Sequence, residues 1–292
     1  MSGRARAQVA VPAERFLALV EVVAVWASSL ALLWALSRGL PAIDGWQRDV
    51  FGQPFLATLL VFIALPLLVL LASRRSFTDY GLAFVPLARP LETGCLALAV
   101  LGPLSGVAFP LLIALDLSPT GWPGAAILAI CYAASLPVIA YVVRNTRPIE
   151  RGTPQIHAAT GLVLALGLAL ALAALAWPHI SAVPAVLYRL FYAALGEEVF
   201  FRGYVQSRLN ESLGRPYRVL GVPFGWGLAI AALLFGLAHV LGPAGPFQWG
   251  WGLWTAVLGL IFGYLREKSG SVLAPAVTHG VLIAVAAIAG AG

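Results

Sequence analysis

Two adjacent carboxylates, an arginine and two histidines are the residues of this chain that packing explains least. Glu197, Glu198 and Arg202 lie in the run Gly196-Glu197-Glu198-Val199-Phe200-Phe201-Arg202, and the histidines close Phe235-Gly236-Leu237-Ala238-His239 and sit in Thr278-His279-Gly280. On a helix Glu198 and Arg202 share one face four residues apart, so an internal ion pair is the natural way to keep both away from water. Glu197 is rotated about 100° from Glu198 and has no basic residue three or four positions away. It therefore needs partners from other helices or a water-filled cavity. A carboxylate beside neutral imidazoles can activate a water for attack on a carbonyl, with an imidazole orienting the water or donating to the oxyanion. One glutamate and two histidines can also ligate zinc, but the HExxH spacing that puts two ligands on one helix face is absent. A serine nucleophile lacks its signature too: there is no GxSxG, and neither Ser207 nor Ser212 is placed near the histidines by sequence.

The segments that hold these residues are apolar enough to make them costly. Of 292 residues, 61% are hydrophobic and 10% charged, where a soluble domain has roughly 45–50% and about 25%. With roughly 20 apolar residues to a spanning helix, the runs bounded by charge, Pro and Gly predict spans at 16–37, 54–73, 93–115, 122–143, 157–177, 184–208, 224–241, 249–265 and 271–289. The fold class is all-α, a polytopic membrane protein of eight or nine transmembrane helices, with no room for a large extramembrane domain. An ionisable group in hydrocarbon costs about 2.5–3.5 kcal/mol even on the lenient insertion scale, which makes each one a site hypothesis. Glu21 and Arg189 lie near span ends and are expected to snorkel to the interface. His157 and His179 read as boundary histidines. Cys95 and Cys131 form no CxxC and read as small buried hydrophobes.

The net charge of +6 follows topology. Arg4, Arg6 and Arg15, then Arg74, Arg75 and Arg89, then Arg144, Arg147 and Arg151, then Arg208, Arg215 and Arg218, and finally Arg266 and Lys268 fall in alternate connections; the other side receives Arg38 and Arg48. This bias places the amino terminus in the cytoplasm and the carboxyl terminus outside, in a cell (inner) membrane, and argues against nucleic acid as a partner. The first apolar run is about 21 residues long with no A-x-A site after it, and reads as a retained helix. Counting about 1.5 Å per residue from the cytoplasmic ends, Glu197 lies about 16 Å deep, His279 about 12 Å and His239 about 22 Å.

Glu197-Glu198-x-x-x-Arg202, Phe235-x-x-x-His239 and Ser271-Val272-Leu273-Ala274-Pro275-x-x-x-His279, in that order on separate spans, resemble the CPBP family of CAAX endopeptidases and Abi-like bacterial relatives. Its motifs are EExxxR, FxxxH and HxxxN. The resemblance covers about residues 184–292, so the chain divides into 1–183, helices of unassigned role, and 184–292, the CPBP-like catalytic helices of one continuous membrane domain. It implies a glutamate-dependent intramembrane endopeptidase that needs no metal or other cofactor and cuts a membrane protein or peptide near its membrane-embedded or carboxy-terminal end. By position, Glu197 is then the general base, His239 helps hold the water, and His279 helps stabilise the oxyanion. Glu198, Arg202 and Phe235 support them. The chain departs from the family at Ile283, four residues after His279, where Asn is usual; an aliphatic side chain donates no hydrogen bond, and Thr278 or a backbone amide is the replacement oxyanion candidate. The alternative function is a non-hydrolytic membrane scaffold, immunity or transport protein that retains the motifs.

Overall fold

The computed structural model describes residues 12–149, 155–177, 179–241 and 246–288. Arg4, Arg6, Arg151, the side chain of His157 and residue 289 at the predicted end of the last span lie outside the described residues.

Apolar runs without breakers fold as helices. These are α1 (Pro12–Gly39), α2 (Pro41–Phe51), α3 (Phe55–Ala72), α4 (Ala88–Ala114), α5 (Trp122–Val142) and α6 (Gln155–Ala176). A continuous helical run over 182–213, α7, leads into a hairpin of β1 (Tyr217–Val219) and β2 (Val222–Phe224). Helices α8 (Trp226–Val240), α9 (Trp249–Ser269) and α10 (Leu273–Ile288) complete the chain. The protein is thus nearly all-α, and every predicted span coincides with a helix. Among the described residues, four helices are long and apolar enough to cross a membrane by length and composition: Pro12–Gly39, Phe55–Ala72, Ala88–Ala114 and Trp122–Asn145. Thr160–Ala176, Trp226–Val240 and Leu273–Val285 are shorter apolar helices. Two elements depart from the all-α expectation of uninterrupted spans. Helix α2 carries Asp44, Gln47, Arg48 and Asp49, too polar for a span, and the hairpin has strands of three residues each.

The outward faces fit lipid. Val107, Ile113, Leu164 and Leu175 are 66–77% exposed on α4 and α6, an apolar surface that a soluble monomer rarely shows over such an area. Cys95 is exposed on α4, correcting the buried-hydrophobe reading. In hydrocarbon a small apolar side chain is as well accommodated at the lipid face as inside.

The basic connections gather at one end of the bundle. Ile149 N donates to the Ser269 carbonyl at 2.8 Å and Val272 N to Gly81 at 2.9 Å; Arg266 Nη2 donates to Asp79 O, Lys268 Nζ to Arg144 O and Arg89 Nη1 to Pro148 O. The connections after α3, α5 and α9 are therefore neighbours, and Arg215, just after α7, joins them by donating from Nε to Glu267 at 2.8 Å. Glu21 belongs to this end, as its position near a span end leads one to expect, and is there a structural anchor. Its carboxylate accepts from Arg75, from Arg208 Nε at 2.9 Å and from the Tyr204 hydroxyl at 2.9 Å, tying α1 to α7. The carboxylate holds the Arg75 guanidinium more firmly protonated than usual. Burial and the hydrogen bond to Glu211 push the Tyr80 hydroxyl up.

Candidate active site

Helix α7 positions both glutamates. Its turns widen to π-type geometry over Tyr188–Ala194 and Val199–Gln206, with the short α-helical stretch Leu195–Glu198 between them; such widened turns are frequent at functional sites. Helix α3 widens in the same way over Leu59–Ala64, just before Pro66, which has no amide for the preceding turn. This stretch of α3 meets α7 at Gly196, between the two widened segments, where an added Cβ would stand 3.3 Å from Phe62 Cβ. Phe200 and Phe201, almost fully buried, pack edge-on to each other at 5.0 Å.

Helices α8 and α9 approach closely through glycine. A Cβ on Gly236 would stand 2.5 Å from the Gly252 carbonyl oxygen, and one on Gly259 would stand 2.9 Å from Ala232 Cα. Small residues at a helix contact are what let membrane helices approach this closely. The approach brings the Gly259 carbonyl to Arg202 Nη2 at 3.3 Å and the Phe262 ring to the site.

The expected ion pair is present: Arg202 Nη1 donates to Glu198 Oε1 at 3.0 Å, and both side chains are fully buried. The guanidinium also lies 4.4 Å over the Phe235 ring and 5.3 Å from that of Phe262, a desolvated cation on two aromatic faces. Glu198 has a further partner that the spacing did not reveal. The same Oε1 lies 3.1 Å from His279 Nδ1. A carboxylate only accepts, so Nδ1 carries the proton and Nε2 is left as a lone pair. Nε2 stands 4.0 Å from Glu197 Oε2, beyond direct hydrogen-bond reach. Glu197 Oε2 is buried and has no hydrogen-bond partner among the described residues.

Phe235 stands among these groups, with its ring centroid 4.6 Å from His239, 6.0 Å from His279 and 5.1 Å from Phe201. His239 Nδ1 lies 2.9 Å from the Phe235 carbonyl, again an acceptor, so its Nε2 is also a bare lone pair. Trp251 closes the far side of His239 at 5.1 Å. Phe262 stacks on His279 at 4.9 Å with 21° between the planes, a site residue that a single Phe in an apolar helix does not announce.

Thr278 is placed elsewhere. Its hydroxyl donates to the Gly94 carbonyl at 3.1 Å and the Ala274 carbonyl at 3.0 Å, at the contact between α4 and α10. Its single proton is therefore committed, and the geometry does not support the oxyanion role expected for it. Among the described residues, no three His, Cys, Asp or Glu side chains group closely enough to hold a metal ion.

Residues 177–285 match the family model described as Type II CAAX prenyl endopeptidase Rce1-like. This segment is similar to the Rce1-like family. The match spans α7 to α10 and so contains Glu197, Glu198, Arg202, Phe235, His239 and His279. No curated protein and no solved structure matches the chain. The Rce1-like family suggests a CAAX-type intramembrane endopeptidase, and with the apolar helices it suggests a multi-pass membrane protein.

Proposed function

We propose that the chain is a glutamic-type, metal-independent intramembrane endopeptidase that hydrolyses a peptide bond near the membrane-embedded or carboxy-terminal end of a protein or peptide substrate. One observation carries this reading: His279 lies between the two glutamates, with Nδ1 3.1 Å from Glu198 Oε1 and Nε2 4.0 Å from Glu197 Oε2. The three acceptors Glu197 Oε2, His279 Nε2 and His239 Nε2 suit a water that donates both its protons and keeps a lone pair for attack.

Glu197 takes one proton from the water as its oxygen bonds to the substrate carbonyl carbon, and the carbonyl oxygen becomes an oxyanion. His239 Nε2 accepts the water's other hydrogen bond and orients it. The Glu197 proton passes to His279 Nε2 through a bridging water, which gives one proton to Nε2 as it takes one from Glu197, because the 4.0 Å between the two atoms is too long for direct transfer. As an imidazolium held by Glu198, His279 stabilises the oxyanion, then protonates the leaving nitrogen as the carbon–nitrogen bond breaks. Glu198 keeps the proton on Nδ1, and Arg202 holds the Glu198 carboxylate in place from one helical turn away.

Orientation and location follow the same reading. The basic connections at one end of the bundle support a cytoplasmic amino terminus in a cell membrane. The partners are a membrane protein or peptide substrate and the lipid bilayer.

The test compares new amino termini among membrane proteins, by mass spectrometry, in cells carrying the parent chain and in cells carrying Glu197→Gln. Parent-specific termini, with unchanged melting of the variant in detergent, are the expected result. Identical termini in both would favour the alternative, a non-hydrolytic scaffold, immunity or transport protein, which Ile283 supports because it removes the family's Asn donor.

A further inference from the structure

Between α7, which carries Glu197, and α8, which ends beside His239, the chain turns through the hairpin β1–β2. The pairs Tyr217↔Phe224 and Val219↔Val222 share one face, and Arg218↔Pro223 occupies the other. The two-residue turn is Leu220-Gly221, with φ of 45° and 81°. Two left-handed residues are what a short hairpin needs, but Asn, Asp or Gly adopts that backbone more readily than Leu. Nothing local favours leucine there.

Its exposure gives the reason to keep it. Leu220, Val219 and Tyr217 are 54%, 43% and 44% exposed. Beside them Tyr217, Phe224, Trp226, Leu228 and Leu260 line an open, almost wholly apolar groove of about 330 Å³ at the foot of α8 and α9. Trp226 is the first residue of α8 and is itself exposed. The opposite face presents exposed Arg218, and this end of the bundle also carries Arg208 and Arg215. An element with one apolar face, one basic face and aromatics at the foot of an apolar helix matches the boundary between acyl chains and headgroups.

We propose that the hairpin lies in the headgroup boundary of the bilayer, with Val219 and Leu220 dipping toward the acyl chains. The groove takes one acyl chain of a phospholipid, and Arg218 meets the phosphate of an anionic headgroup. The occupant is bilayer lipid: the hairpin runs without a linker into α8, so its tip cannot leave the membrane surface, and its two faces divide as the boundary does.

The experiment uses the full chain with Leu220→Cys on a Cys95→Ser, Cys131→Ser background. The chain is labelled with an environment-sensitive nitrobenzoxadiazole dye and reconstituted in phosphatidylcholine vesicles with and without phosphatidylglycerol. Expected is a blue-shifted emission that loses most of its intensity with phospholipid brominated near the glycerol end, and little with aqueous iodide. In parallel, Ala229→Trp, which places a ring in the groove from a partly exposed position, is expected to lower by one the phospholipids retained in native mass spectrometry. Arg218→Glu is expected to remove the preference for phosphatidylglycerol. Melting in detergent at the parent temperature qualifies each variant. Emission at the aqueous position with strong iodide quenching would overturn the proposal. So would a blue shift that ignores bromolipid and grows with protein density, since a second copy then covers the tip. Unchanged lipid retention in Ala229→Trp would overturn the acyl-chain assignment.

Discussion

His279 Nδ1 and Arg202 Nη1 converge on a single oxygen, Glu198 Oε1, at 3.1 Å and 3.0 Å. The second glutamate of the pair is therefore not only the counter-ion of its own helix. It joins α7 to α10 and decides which nitrogen of His279 carries the proton, a function an ion pair at helical spacing does not foretell.

The first prediction separates these two duties. In soluble proteins, removing one partner of a buried pair costs about 3–5 kcal/mol because it strands a charge. Glu198→Ala and Arg202→Ala are each expected to lower detergent melting temperature and yield sharply. The double variant is expected to recover much of that stability. Activity in the double variant is expected to stay lost, because His279 no longer has an acceptor for Nδ1–H. Single variants that melt like the parent would mean that the pair is not structural, and Glu198 would then replace Glu197 as the candidate base.

A second prediction follows from where the Thr278 hydroxyl goes. Thr278→Val keeps the shape and removes the bonds to Gly94 and Ala274, a net loss of about 1 kcal/mol for a typical hydrogen bond. A small fall in melting temperature with turnover at the parent level is expected. A large fall in kcat with unchanged KM and stability would restore Thr278 as an oxyanion donor.

The helices were legible because each apolar run is bounded by charge, Pro or Gly, and the ion pair was legible because it is local. Three features were not. The contact between Glu198 and His279 joins residues 81 apart, and no periodicity encodes it. Phe262 carries no polar atom and becomes a site residue only because Gly259 lets α9 lie against α8; Gly236, Gly252 and Gly259 were the available signal. The hairpin hides because Pro223 and strands of three residues give no alternation to read.

Part of the acid stability is expected to rest on Glu267, which lies past the predicted end of the eighth span. Burial alone would raise its carboxyl, but Arg266 and Arg215, with the hydrogen bonds from Arg215 and Gln206, outweigh burial and hold it below the usual carboxylate range. A depressed folded-state value means that this stabilisation is present above the unfolded carboxylate range and is lost as pH falls through the lower folded value. Melting temperature in detergent is expected to drop on acidification in that window. Glu267→Gln is expected to melt lower at neutral pH and to show a flatter acid limb. A parent and variant that lose stability in parallel on acidification would assign the acid limb to other carboxylates.

The last prediction concerns metal. Two ligands each about 2.1 Å from one tetrahedral zinc stand about 3.4 Å apart. Glu197 Oε2 and His279 Nε2 are 4.0 Å apart. His279 is fixed from behind by Glu198 and stacked on Phe262, so closing the gap means giving up the contact that orients the ring. Glu198 Oε1 already serves Arg202 and His279, and His239 Nδ1 serves the Phe235 carbonyl. The donor set is better arranged to hold a water between lone pairs than to surround a cation. Protein washed with chelator and assayed in chelator is expected to keep its activity, with zinc far below one ion per chain. Activity abolished by the chelator and restored by zinc would make Glu197, His239 and His279 metal ligands, and the water would then owe its acidity to the ion rather than to Glu197.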